Sequence, residues 1–220
     1  MLVQTAINTA TSRPLADHPL NGSIDLMGAV MPFARNVEIY GENEPADYIY
    51  KIISGTVRTY KVLNDGRRQI GAFYLPGDMF GLESGDAHTF SAEAITPVKV
   101  LVIRRSAVTA LAARDHSVAQ QLLGMTGREL ARVQDHLMLL VKTAQERVAG
   151  FLLEMSARAK AVSNEIELPM SRQDIADYLG LTIETVSRTL TQLENSAAIA
   201  LPTSRRIVLR NRGALNRLNS

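Results

Sequence analysis

The 220-residue chain contains no cysteine. That absence excludes disulfides, thiolate-held metal sites and iron–sulfur clusters, and thiol redox switches. Histidine is scarce as well: His18, His88, His116 and His136 are scattered, and no two have the i, i+4 spacing that would join them on one helix face. Each is read as a packing or surface residue, and no metal site is expected. No apolar run reaches the length needed to cross a bilayer. The N-terminus lacks a charged stretch followed by an apolar one, so no secretion signal and a cytoplasmic location are expected. Charge of one sign is also missing in bulk. A formal net charge of +2 is small for a non-specific nucleic-acid binder, which would leave readout to a local arginine surface. No Gly-rich phosphate loop and no Ser/His/Asp set is found, so no catalytic residues, no enzyme activity and no cofactor are expected.

What is present is concentrated near the C-terminus. Ser171–Asn195 reads SRQDIADYLGLTIETVSRTLTQLEN. Ser171 suits an N-cap, with Asp174 near the positive end of the helix it opens. Ile175, Ala176 and Leu179 form an apolar face, and Gly180 ends the helix because glycine enters the left-handed region cheaply. Thr182 caps a second helix with Val186, Leu190 and Leu193 inward. Facing out near its start are Ile183, Glu184, Thr185, Ser187 and Arg188. This is the layout of a helix-turn-helix, whose second helix enters the DNA major groove N-terminus first. Glu184, Ser187 and Arg188 share a face, where a carboxylate, a hydroxyl and a guanidinium can read cytosine N4–H, a thymine edge and guanine O6/N7. Thr182 and Thr185 are the expected backbone contacts beside them.

After Asn195 the period changes. Ile199 and Leu201, then Ile207–Leu209, suggest two short strands around a turn at Pro202–Arg206, a β-wing. Arg205 and Arg206 at its tip suit phosphate contacts. Arg212 and Arg217 read as a solvated face, and a short helix through Ala214 and Leu218 closes the chain.

The front half reads differently. Residues 1–25 form an arm rich in Thr, Ser, Ala, Asn and Pro. Short strands are predicted at Val37–Tyr40, Tyr48–Ile53, Thr56–Leu63, Arg68–Tyr74 and Ala92–Ile103, with a hairpin turn at Asn64-Asp65-Gly66. This pattern implies a small barrel or sandwich over 26–115. A long helix follows over 116–144. Ala119, Leu123, Thr126, Leu130, Val133, Leu137, Leu140 and Ala144 alternate in steps of three and four, a heptad-like seam. Leu122, Leu139 and Val141 widen the apolar face. Packing on its own domain explains part of that face, and a homodimer through Leu123, Thr126, Leu130, Val133, Leu137 and Leu140 explains the rest. Gln145–Ala161 is another amphipathic helix, Glu165–Met170 a short strand, and the DNA-binding domain spans 145–220.

The order of barrel, long helix and winged helix-turn-helix resembles the bacterial regulators typified by the catabolite activator protein and FNR. The resemblance rests on IISGTVRTYKVLNDGRRQI (Ile52–Ile70), YLPGDMFGLE (Tyr74–Glu83) and LGLTIETVSRTLTQLE (Leu179–Glu194). FGLE, HTFSAEAI (His88–Ile95) and ETVSR (Glu184–Arg188) resemble its FixK branch. The resemblance implies an α+β fold with a cyclic-nucleotide-binding-like jelly-roll barrel. It also implies a homodimeric activator of genes for low-oxygen respiration and nitrogen fixation. By resemblance, Glu184, Ser187 and Arg188 read a TTGA half-site of palindromic double-stranded DNA. Loops around Asn64–Arg68 and Glu83–His88 resemble the places where family members touch RNA polymerase. Two departures matter. Leu82 follows Gly81 where cyclic-AMP receptors carry Glu, and His88-Thr89 stands where an Arg-Ser pair would hold the cyclic phosphate. An effector-independent regulator is therefore expected. The alternative is a ligand-gated regulator whose barrel takes a small molecule other than cyclic AMP.

Overall fold

A computed structural model describes residues 25–159 and 164–219. The expected N-terminal arm lies outside the described residues except for Asp25. The described part forms two compact units. One holds the residues up to Val62 and Gly71–Leu130, and the other holds Leu63–Ile70 with the residues from Ala131 on.

The first unit is a jelly roll. Strands β1 (Ala29–Phe33), β8 (Val98–Arg104), β3 (Tyr48–Ser54) and β6 (Met79–Phe80) make one sheet in that order. Strands β2 (Glu38–Tyr40), β7 (Ser91–Ala94), β4 (Val57–Val62) and β5 (Arg68–Tyr74, of which residues 71–74 lie in this unit) make the other. Pairs β1–β8, β3–β8, β2–β7 and β4–β7 are antiparallel. Both sheets supply one core, with Tyr50, Ile52, Phe80 and Val100 from the first meeting Ile39, Val57, Ala92 and Ala94 from the second. The alternating burial of Val57 and Thr59 along β4 is the period-2 signature of a half-buried strand.

The predicted single strand Ala92–Ile103 is two strands in different sheets. Pro97 cannot donate a ladder hydrogen bond, and Ile95 N–H and Thr96 Oγ1 instead pair with the backbone of Thr56 at 2.9 Å each. The chain thereby leaves β7's sheet and enters β8's. Gly81 has φ +77°, and a Cβ there would lie 2.9 Å from the Tyr50 ring. That corner accepts only glycine.

Helices α1 (Arg105–Ala112) and α2 (His116–Leu140) follow. Val108, Val118, Leu122 and Met125 pack with Leu101 and Ile103 on the outer side of the β1–β8 sheet. The seam side of α2 is bare: Leu123, Leu130, Val133 and Leu137 are 57–75% exposed. Val141 is bare too, whereas Leu139 is buried, so the wide apolar face serves two directions. The helix stops at Leu140 rather than Ala144. Thr143 starts α3 (Ala144–Arg158) with a capping box, its N–H donating to Glu146 Oε2 (2.6 Å) and its Oγ1 accepting from Glu146 N–H.

In the second unit α3, α4 (Arg172–Leu179), α5 (Ile183–Asn195) and α6 (Arg212–Asn219) surround Phe151, Leu152, Ile175, Leu179, Val186 and Leu193, all buried. A three-stranded sheet runs β10 (Ile199–Ala200), β11 (Arg206–Leu209), β9 (Glu165–Glu167). The strands are shorter than predicted: Leu201 and Leu168–Met170 fall outside them. Arg212 is exposed, as read, and it also anchors the C-terminal helix. Its Nη2 donates to Ser156 Oγ and its Nε to Asn164 Oδ1, fastening α6.

Candidate nucleic-acid interface

The turn between α4 and α5 is built by local chemistry. Ser171 caps α4 in a capping box with Asp174: Ser171 N–H donates to Asp174 Oδ2 (2.9 Å), and Asp174 N–H donates to Ser171 Oγ (3.1 Å). Gly180 closes the helix at φ +61°, its N–H returning to Ala176 O. Arg147 Nη1 donates to Leu179 O and His136 Nε2 to Tyr178 O, both at 2.8 Å, so orphan carbonyls at the helix end are satisfied. Ala176 is fully buried where the two helices meet, and Val186, Leu190 and Leu193 seat α5 beneath its outer face.

That outer face presents the predicted readers together. Glu184 and Arg188 are exposed and Ser187 is half-buried, one turn apart on one stripe. Thr191, one turn further, extends the stripe, and its Oγ1 donates to Ser187 O. The i, i+7 spacing from Glu184 could have shown this residue in the sequence. Ile183 stands exposed at the helix start. The carboxyl of Glu184 is held below the usual carboxylate range by its own backbone N–H at the helix start and by the Thr182 hydroxyl.

Thr182, Thr185 and Arg206, three of the predicted backbone contacts, also have partners within the protein. Thr182 Oγ1 accepts from Thr185 N–H (3.2 Å) and the two hydroxyls lie 3.1 Å apart, so both threonines work as the cap of α5. Arg205 sits in the wing turn, half-buried, whereas Arg206 lies inside β11 rather than at the tip. Its Nε is 2.7 Å from Glu165 Oε1 across the sheet.

The loops around Asn64–Arg68 and Glu83–His88 each hold a residue engaged within the protein. His88 is buried, stacked on Tyr40 with ring centroids 3.5 Å apart, and its Nδ1 lies 3.0 Å from Glu83 Oε1. Burial, then the Glu83 charge, pushes the Tyr40 phenol well above its ordinary range. Arg68 is bound by Asp174 and Asp177. Among the described residues no cluster of three or more metal-ligating side chains occurs, and no helix is long and apolar enough to cross a membrane.

Fold and motif together define a class: a helix-turn-helix transcription regulator carrying a jelly-roll sensor-type domain. Comparison with known proteins places it further. Residues 146–218 match the Crp-like helix-turn-helix domain, and residues 30–115 match the cyclic nucleotide-binding domain. The chain is 51% identical to the nitrogen fixation regulation protein FixK of Azorhizobium caulinodans, over 88% of this chain and 80% of that one. FixK of Rhizobium meliloti is 43% identical over 82% of each chain. The structure of FixK2 from Bradyrhizobium japonicum superposes with a TM-score of 0.84 at 52% identity, covering 88% of this chain and 98% of that one. The protein belongs to the FixK branch of the CRP/FNR family.

Proposed function

We propose that the protein is a homodimeric activator of nitrogen-fixation and low-oxygen genes that binds a TTGA-N6-TCAA-type palindrome without an effector. The single observation that carries the base readout is the outward stripe of exposed Glu184 and Arg188 with half-buried Ser187 on a capped and well-seated α5. Arg188 donates to guanine O6/N7, Glu184 accepts from cytosine N4–H, and Ser187 meets a thymine edge. Thr182 and Thr185 keep a lone pair each for water or backbone contacts, and Arg205 and Arg206 reach phosphates at the wing. The exposed seam of α2, Leu123, Thr126, Leu130, Val133 and Leu137 with half-buried Leu140, is the dimer surface. Half-sites ten base pairs apart present one DNA face, matching two recognition helices about 34 Å apart. As an activator it also engages RNA polymerase, in the cytoplasm where its DNA lies.

Effector independence is supported by the interior of the first unit. Tyr40, Tyr50, Phe80 and His88 cluster there with centroids 3.5–6.4 Å apart, Tyr40 stacked on His88 and Tyr50 on Phe80. Side chains of the protein itself occupy that space. A second reading, a regulator gated by a small molecule other than cyclic AMP, draws on Glu83 Oε2, which is buried without a hydrogen-bond partner. Fluorescence anisotropy of additive-free protein decides between them. Tight, selective binding to a TTGA-N6-TCAA duplex over a scrambled one is expected. Weak, unselective binding that a ligand restores would favour the second reading.

A further inference from the structure

The second unit contains a segment that the DNA-reading motif does not explain, the hairpin tip Leu63–Ile70. The tip is a tight turn, with Leu63 N–H donating to Arg67 O (2.8 Å) and Gly66 N–H to Leu63 O (2.9 Å). Its Arg68 reaches α4. Nη2 donates to Asp174 Oδ1 and Nε to Asp177 Oδ2, both at 2.7 Å. The side chains of Asp174 and Asp177 are only 5% and 12% exposed. Two carboxylates three residues apart on one helix, both largely out of water, repel one another and need a countercharge. A guanidinium serves the two carboxylates from separate nitrogens of a planar fork, whereas a lysine would offer a single nitrogen. Asp174 is also the capping-box carboxylate of α4: its Oδ1 takes Arg68 while its Oδ2 takes the Ser171 N–H, so one carboxylate serves both the bridge and the helix start. Gln69 Nε2 adds a long contact to Tyr178 O (3.4 Å) at the helix's other end. Arg67, Arg68 and Gln69 share the walls of one cavity of about 800 Å³ with Gly180, Thr182 and Glu184. The hairpin therefore stands beside the turn that aims α5. Glu184 and Arg188 themselves stay exposed, which leaves the reading edge open.

We propose that Arg68 is a positioning residue for DNA binding. By bridging Asp174 and Asp177 it holds α4, and through the α4–α5 turn the start of the recognition helix, in the register that meets the groove. It touches no DNA itself. The proposal rests on the base-reading assignment above.

The test uses the full-length protein as wild type, Arg68→Ala, Arg68→Asp, and the charge swap Arg68→Asp with Asp177→Arg. Affinity for the TTGA-N6-TCAA duplex and a scrambled duplex is measured far below the unfolding temperature, where a purely stabilising role would leave it unchanged. Arg68→Ala is expected to weaken cognate binding about fivefold or more, the scale of coupling between a remote group and a binding site. Arg68→Asp is expected to weaken it further, and the swap to recover most of the loss. Unchanged or tighter binding by Arg68→Ala, or a swap no better than Arg68→Asp, would overturn the proposal. If the wild type itself fails to prefer the TTGA duplex, the base-reading assignment fails separately. Hydrogen exchange then decides on Arg68: faster exchange of the 173–188 amides in Arg68→Ala supports positioning, and unchanged exchange overturns it.

Discussion

Two helices carry bare stripes, and the stripes are opposite in chemistry. On α5 the line is Glu184, Arg188 and Thr191, with half-buried Ser187 between them. On α2 it is Leu123, Leu130, Val133 and Leu137. Both helices bury their other face, through Val186, Leu190 and Leu193 in one case and Val118, Leu122 and Leu139 in the other. A polar stripe costs nothing in water and can wait for a base edge. An apolar stripe of that size is costly to leave in water and marks a protein partner. The simplest partner is the same stripe on a second copy, which also supplies the second half-site reader.

The comparison breaks most visibly at α2. Leu130→Glu with Val133→Glu is expected to yield a folded monomer in sedimentation velocity. Its affinity for the palindrome should fall by about a hundredfold or more, because the second half-site loses its tether. A dimer surviving those charges would mean the stripe faces something else. Next is the contrast between a seated and a bare leucine. Leu193→Ala, fully buried beneath α5, should lower unfolding free energy by about 2–5 kcal/mol in denaturant titrations. Leu123→Ala in the monomeric background should change it little, its side chain being already in water. On the polar stripe, Arg188→Ala should cost about 1–3 kcal/mol on the cognate duplex and far less on a scrambled one. Equal losses on both would demote Arg188 to a phosphate contact. Arg205→Ala is smaller again and blind to sequence, lowering the slope of log affinity against log salt by about one. Arg206→Ala should lower it less, since Glu165 already holds that guanidinium.

The smallest effect is in pH. Glu184 has a depressed pKa, so whatever its charged form contributes is complete above the ordinary carboxylate range and is lost as pH falls through the depressed value. Discrimination at the cytosine position should hold steady from about pH 7 to about pH 5. A decline within that window, absent in Glu184→Gln, would contradict the helix-start environment seen for this carboxylate.

How much of this could be read from the chain depended on the range of the interactions. The helix-turn-helix was legible because its signals are local: Ser171 with Asp174, Gly180 at a positive φ, Thr182 ahead of Thr185. The seam of α2 was legible by period alone, but that period ran through the helix's real end. Thr143 and Glu146, a capping box in plain sight, were overridden by the continuing apolar rhythm. Pro97 marked the break inside the predicted Ala92–Ile103 strand, yet which sheet each half joins depends on partners far along the chain. The Arg68 bridge spans 106 and 109 residues to its two carboxylates, and nothing in its neighbourhood announces it. The same holds for His88. Its own neighbourhood leaves packing and surface equally open, while Tyr40, far upstream, draws it into the core.

The most direct test of the two-stripe account is a comparison of duplexes. Additive-free protein is titrated by anisotropy against the full TTGA-N6-TCAA palindrome and against the same duplex with one half-site scrambled. Two protomers per palindrome are expected, with affinity lower by about a hundredfold or more on the single half-site. One protomer per duplex, or equal affinity for both, would contradict the account: the apolar stripe would then not be what brings a second polar stripe to the DNA.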